Sequence, residues 1–130
     1  MIELLPNYLG GRWQNGTGTG STLLDPVLRT ALVRVDATGA DLPAAFAFAR
    51  QTGGAGLRAL TYAQRAKLLA DIANVLQTHR DAYYEISTAN SGTVKNDTAV
   101  DVDGAIYTLG QYAKWGAALG DSQHLVDGAA

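Results

Sequence analysis

The strongest constraint on this chain is a change of apolar period near Asp41. Before it, hydrophobic residues come in short runs cut by glycine and proline; after it they recur every three or four positions. The first pattern is that of strands and turns, the second that of helices buried on one side. The chain is therefore expected to divide into short strands and loops over 1–36, helices over 41–119 and a loose tail over 120–130. No internal repeat or long linker interrupts it. With 47% hydrophobic and 17% charged residues in 130 positions, one globular unit with a modest core is expected.

In the first segment, Tyr8-Leu9 and Arg12-Trp13-Gln14 flank Gly10-Gly11, a dipeptide suited to the positive φ angles of a tight hairpin. Trp13 is expected to anchor that ribbon. Asn15 to Ser21 reads as a flexible loop, Thr22–Leu24 as a short strand ended by Asp25-Pro26, and Ala31–Val35 as a β-branched strand.

Four helices are expected beyond Asp41. Ala44, Ala45, Phe48 and Ala49 share helical spacing, and Gly53-Gly54 is predicted to stop that helix. Leu57 to Leu60 leads to a second, opened by Thr61-x-x-Gln64, a capping box. Its predicted apolar face carries Leu68, Leu69, Ile72, Ala73, Val75, Leu76 and His79. A third helix over 81–89 should end at Gly92 in a left-handed cap, and a fourth begins near Asn96 or Asp97. That fourth helix keeps Gly104 and Gly110 in its interior, where glycine costs about 1 kcal/mol relative to alanine. A backbone or ligand close to both Cα atoms is expected in return.

Composition removes several functions. A formal net charge of −2, with ten Lys and Arg spread thinly, supplies no basic stripe for nucleic acid. There is no cysteine, so disulfides, thiolate metal sites and a thiol nucleophile are excluded within these residues. The opening MIELLPNYLGG lacks a basic and then apolar signal, and no run reaches the length of a membrane span, so a cytoplasmic protein is expected. Gly16-x-Gly18-x-Gly20 lacks the P-loop lysine and the dinucleotide spacing, and leads into a strand; it reads as a plain loop. Asp101 and Asp103, two apart on a helix, diverge and read as surface acids. His79 and His124 have no second ligand at metal spacing, and Tyr107, Tyr112 and Trp115 read as core or interface. Composition and spacing thus nominate no catalytic, cofactor-binding or metal residue.

The order of several short blocks adds a different kind of information. Tyr8-Leu9-Gly10-Gly11-Arg12-Trp13, Asp25-Pro26 and Ala31–Val35 resemble the N-terminal opening of the aldehyde dehydrogenase superfamily. Ala59-Leu60-Thr61 with Arg65 and Leu69, then Asn90-Ser91-Gly92-Thr93, then Tyr112-Ala113-x-Trp115 resemble its next blocks. Gly53 to Thr61 and Val100-Asp101-Val102-Asp103-Gly104 are similar to the subgroup that oxidises CoA-thioester semialdehydes in aromatic-acid breakdown.

The resemblance implies an α/β fold, of which this chain is the N-terminal part of the cofactor-binding domain, with short antiparallel strands and the parallel sheet missing. It implies an oxidoreductase using NADP or NAD, a small-molecule aldehyde as substrate, and a homodimer or homotetramer. In that family a cysteine thiolate attacks the aldehyde and a glutamate activates water; those groups follow the segment matching this chain. The 130 residues alone are then expected to be inactive. The helix matching Asp97 to Trp115 runs along the aldehyde tunnel in the family, and its inward positions match Val100, Asp101, Gly104 and Thr108. The uncapped tail is expected to reflect truncation. The alternative is a non-catalytic α+β interaction module, or a truncated product, derived from the family.

Overall fold

A computed structural model describes residues 2–125. Five short strands come first: β1 (Leu4–Leu5), β2 (Asn7–Leu9), β3 (Arg12–Gln14), β4 (Ser21–Leu24) and β5 (Ala31–Val35). The helices follow: α1 (Leu42–Phe48), α2 (Gly54–Ala59), α3 (Tyr62–Thr78), α4 (Arg80–Ser91) and α5 (Lys95–Ala118). Among the described residues no helix is long and apolar enough to cross a membrane.

The ribbon of β2 and β3 forms where the sequence places it. Gly10 and Gly11 have φ of 60° and 79°, so the turn needs the freedom that only glycine has at low cost. Tyr8 sits directly opposite Trp13, their rings edge-on with centroids 5.0 Å apart. Trp13 thus anchors the ribbon through a cross-strand pair on an exposed surface.

The second sheet is mixed, in the order β1-β5-β4. β4 and β5 pair antiparallel, whereas β1 pairs parallel to β5, with Leu4 opposite Arg34. Sequence reading expects only antiparallel strands and omits β1, because two residues are too few to show alternation. The β4–β5 turn is built by Asp25, whose Oδ1 accepts from the N–H groups of Val27 and Leu28 at 2.8 Å each.

Asp41 caps α1, accepting from the Ala44 N–H at 2.9 Å. The predicted stop at Gly53-Gly54 does not occur. Ala49–Gly53 forms a π-helical turn, both glycines keep right-handed helical φ (−64° and −63°), and the helix continues as α2 to Ala59. Glycine permits a left-handed stop without imposing one, and here nothing pulls the chain away until Leu60 turns extended. Thr61 and Gln64 then form the predicted capping box, at 3.2 Å and 2.9 Å. Only His79 separates α3 from α4. α4 ends on Gly92 with φ 70°, as its sequence requires.

The core is small and made of small residues. α3 and α5 run antiparallel along a seam containing buried Ala66, Ala73 and Ala113. A Cβ added to Gly116 would lie 3.0 Å from the Ala66 Cβ, so the two helices approach closely there. This corrects the expectation for Gly104 and Gly110: a Cβ on either would meet nothing within 4 Å. It also divides the predicted apolar face of α3. Ala73 is buried on the seam, but Leu68, Ile72 and Val75 lie on a different side and are 44–55% exposed.

Beyond α5 the chain is not loose throughout, as sequence reading expects for 120–130. The carbonyls of Ser122 and Gly120 accept from the first N–H groups of α3, Tyr62 and Ala63, at 2.8 Å and 2.9 Å. Arg65 donates to the Gln123 carbonyl at 2.7 Å. Unpaired donors at a helix N-terminus attract any nearby carbonyl, an attraction invisible in the tail's own composition. Positions 126–130 of that tail lie outside the described residues.

Candidate functional site

At about 3.6 residues per turn, Val100, Asp101, Gly104 and Thr108 occupy one side of α5, turned away from the side carrying Thr98 and Ala113. All four are exposed, Val100 at 72%. The Thr108 hydroxyl donates to the Gly104 carbonyl at 2.8 Å, which turns that hydroxyl along the helix and leaves the Gly104 Cα bare. The four residues share a face, but no wall of described residues closes it into a tunnel. Tyr107, Tyr112 and Trp115 are also exposed, with the Tyr112 and Trp115 rings edge-on at 5.2 Å. Core partners for them are absent among the described residues.

The opposite side of α5 is fixed by hydroxyls and one charge. Thr98 is fully buried, and its Oγ1 shares hydrogen bonds with Thr88 at 2.9 Å and Thr93 at 2.7 Å. Tyr84 on α4 donates to the Asp103 carboxylate at 2.8 Å, and Arg80 stands 3.7 Å from the same oxygen. Burial of the phenol, and then its bond to Asp103, push the Tyr84 pKa up from its ordinary value. Asp101 and Asp103 do diverge, but Asp103 ties α5 to α4 instead of serving only as a surface acid. Sequence reading misses this because Tyr84 and Asp103 belong to different helices.

A broad groove of about 790 Å³ lies between the β4–β5 turn and α4, lined by Val27, Leu28, Asp81, Glu85 and Lys95 among others. It is separate from the α5 face.

The glycine-rich loop has a definite job. Asp36, buried at the end of β5, accepts from the Gly18 N–H at 2.6 Å and from the Thr38 N–H and hydroxyl at 3.0 Å and 2.7 Å. A Cβ on Gly16 would strike that carboxylate, one on Gly18 would come 2.6 Å from the Thr38 hydroxyl, and one on Gly20 would come 2.6 Å from the Val35 carbonyl. The glycines are spaced to wrap a backbone around Asp36. Arg34 holds the same loop through the Thr19 carbonyl. The Thr38 hydroxyl and N–H, then Gly18 and Arg34, hold the Asp36 pKa below its ordinary value against the opposing effect of burial. This loop therefore does not fit a nicotinamide dinucleotide: its inward N–H is spent on an internal carboxylate, and it leads into a strand instead of a helix. Asp36 was not legible as a site residue, since nothing in its own neighbourhood marks a partner 18 positions away.

Comparison with known proteins gives this geometry its context. Residues 13–128 match the aldehyde dehydrogenase family. The chain is 51% identical over 124 residues to 3,4-dehydroadipyl-CoA semialdehyde dehydrogenase of Aromatoleum evansii, covering 95% of this chain and 24% of that relative. Its fold is similar to an NAD-dependent benzaldehyde dehydrogenase from Corynebacterium glutamicum, with a TM-score of 0.77 at 22% identity, covering 86% of this chain and 25% of that one. The chain thus spans about a quarter of the length of the relatives it matches. A match over nearly every described residue, joined to a shared fold, is not produced by one short motif, and the chain belongs to the aldehyde dehydrogenase family.

Proposed function

We propose that this chain is the N-terminal part of an NAD- or NADP-dependent aldehyde dehydrogenase that converts a CoA-thioester semialdehyde to the acid. The observation that carries this reading is the 51% identity, over 95% of the chain, to a relative named for such a substrate. A nicotinamide cofactor, held by residues outside this chain, would supply the hydride acceptor, and water would supply the second oxygen of the acid. The chain holds no cysteine, so the nucleophile belongs to the polypeptide beyond these residues and the chain alone is inactive. The parent enzyme is cytoplasmic and a homodimer or homotetramer, as the family resemblance implies.

Within that enzyme, the outward face of α5 borders the aldehyde's path. Val100, Asp101, Gly104 and Thr108 all face away from this chain's own core, and the bare Gly104 Cα leaves width for a bulky acyl chain. The test joins this chain to the part of the Aromatoleum evansii relative beyond its matched region, and follows NADH and NADPH formation. Turnover of a CoA semialdehyde is expected. Gly104→Met should raise KM for that substrate by about tenfold while barely affecting a short aldehyde. Equal effects on both substrates would remove the proposed path, and a folded joined protein without aldehyde oxidation would remove the activity.

A further inference from the structure

We infer that Asn15 is a site of spontaneous covalent modification: its carboxamide is lost to attack by the Gly16 backbone nitrogen, and the carboxylate that replaces it unfastens the glycine-rich loop from Asp36. Among the five asparagines of the chain, Asn15 alone lies outside a strand or helix and alone precedes a glycine.

Attack needs an exposed carboxamide and a backbone nitrogen that is neither screened by a side chain nor held in a hydrogen bond. Asn15 is exposed, and among the described residues neither its carboxamide nor the Gly16 N–H has a hydrogen-bond partner. The next two N–H groups do: Thr17 donates to the Thr38 carbonyl at 3.0 Å and Gly18 to the Asp36 carboxylate at 2.6 Å. Glycine has no Cβ to screen its nitrogen, and its backbone can adopt the turn that attack requires. The other asparagines are held. The Asn7 Nδ2 donates to the Asp36 carbonyl at 2.7 Å and the Asn90 Nδ2 to the Ile86 carbonyl at 2.8 Å. Asn74 and Asn96 lie in α3 and α5, each ahead of a residue with a screening side chain, Val75 and Asp97.

The steps balance with water alone. Hydroxide takes the Gly16 N–H proton, the nitrogen bonds to the Asn15 Cγ, the bond from Cγ to Nδ2 breaks, and ammonia leaves. Water then opens the resulting succinimide at either carbonyl. One opening gives aspartate; the other gives isoaspartate, in which the main chain runs through the former side chain. Gly16 lies against Asp36, since a Cβ there would strike that carboxylate. A second carboxylate one residue away repels the first, and isoaspartate also adds a carbon to the backbone where the approach is tight. The glycine that makes Asn15 labile is thus the one that the Asp36 contact demands, and no side chain at position 16 could remove the lability without breaking the contact.

The chain is incubated in mildly alkaline buffer beside a synthetic peptide of residues 13–29, and the tryptic peptide over the same residues is followed by its mass and fragment ions. A gain of one mass unit is expected at position 15, at a rate within about threefold of the peptide's, because nothing in the loop must open first. Isoaspartate is read by methyl transfer from S-adenosylmethionine with an isoaspartyl methyltransferase. In the converted chain the Gly18 amide should exchange about tenfold faster, as for the loss of a hydrogen bond to a charged group, with the amides of the α3–α5 seam unchanged. Asn15→Gln should keep its mass and its slow Gly18 exchange through the same incubation. Asn15→Asp, which adds the charge without the extra backbone carbon, should show part of the acceleration. Conversion about a hundredfold slower in the chain than in the peptide, with the Gly18 amide protected, would overturn the site. Conversion that leaves Gly18 exchange unchanged would overturn the unfastening, and so would a chain whose Gly18 amide is unprotected before incubation.

Discussion

The Gly18 N–H donates to the Asp36 carboxylate at 2.6 Å, so the loop that looks in composition like a phosphate cradle is closed around an anion of its own. Its three alternate glycines serve the approach of two pieces of one chain, and no ligand is needed to account for them.

The acid limb of stability should report this contact. The Asp36 pKa in the fold lies below the ordinary carboxylate value of 3.8, so the ionised form is favoured by folding. The contribution is fully present above 3.8 and is lost as pH falls through the lower folded value. Amide chemical shifts of Gly18 and Thr38 are expected to stay flat down to that region and to move together below it. Asp36→Asn should remove the transition and speed amide exchange at Gly18 at neutral pH.

Tyr84 sets the alkaline limb. Burial and the bond to Asp103 favour the protonated phenol in the fold, so its contribution is complete below the ordinary phenol value of 10.0 and is lost as pH rises through the raised folded value. A late step assigned to Tyr84 is expected when phenolate absorbance is followed. Tyr84→Phe should abolish that late step and loosen α4 against α5. An unchanged late step would assign it to another tyrosine.

Gly92 is constrained twice. It has φ 70°, and a Cβ there would come 2.9 Å from Pro26 and 3.0 Å from Val27. Gly92→Ala should weaken the junction of α4 with the β4–β5 turn by about 1 kcal/mol or more. The readout is faster amide exchange in the last turn of α4, with the seam of α3 and α5 unaffected.

The glycines of α5 should respond in opposite directions. Gly110 has helical φ and open space around its Cα, so Gly110→Ala should stabilise the helix by about 0.5 to 1 kcal/mol. Gly116 touches Ala66, so Gly116→Leu should force α5 off α3 at a cost of about 1 to 3 kcal/mol. Amide exchange along α5 distinguishes them.

These glycines also show what the sequence could and could not reveal. Features closed within a few residues were legible: the Thr61–Gln64 box, the Gly10-Gly11 turn, the left-handed Gly92 and the limits of β5 all follow from local chemistry. Contacts between distant segments were not. Gly116 looks no different from Gly110 in sequence, and only the neighbour supplied by α3 separates them. Asp36, Asp103 and the carbonyls of Gly120 and Ser122 were missed for the same reason. The α5 face was reached through family resemblance, since Val100, Gly104 and Thr108 carry no chemistry that marks a site by itself.

The π-helical turn at Ala49–Gly53 places Gly54 in a bond to the Ala49 carbonyl five residues back. Such a turn holds one residue more than an α-helical turn, and so rotates everything after it about the helix axis. Deleting a single residue there would restore a regular helix without breaking it, but would swing Leu57 and Arg58 to a new bearing. One codon at this turn is enough to re-aim the approach to α3 while leaving every strand and every later helix unchanged in composition.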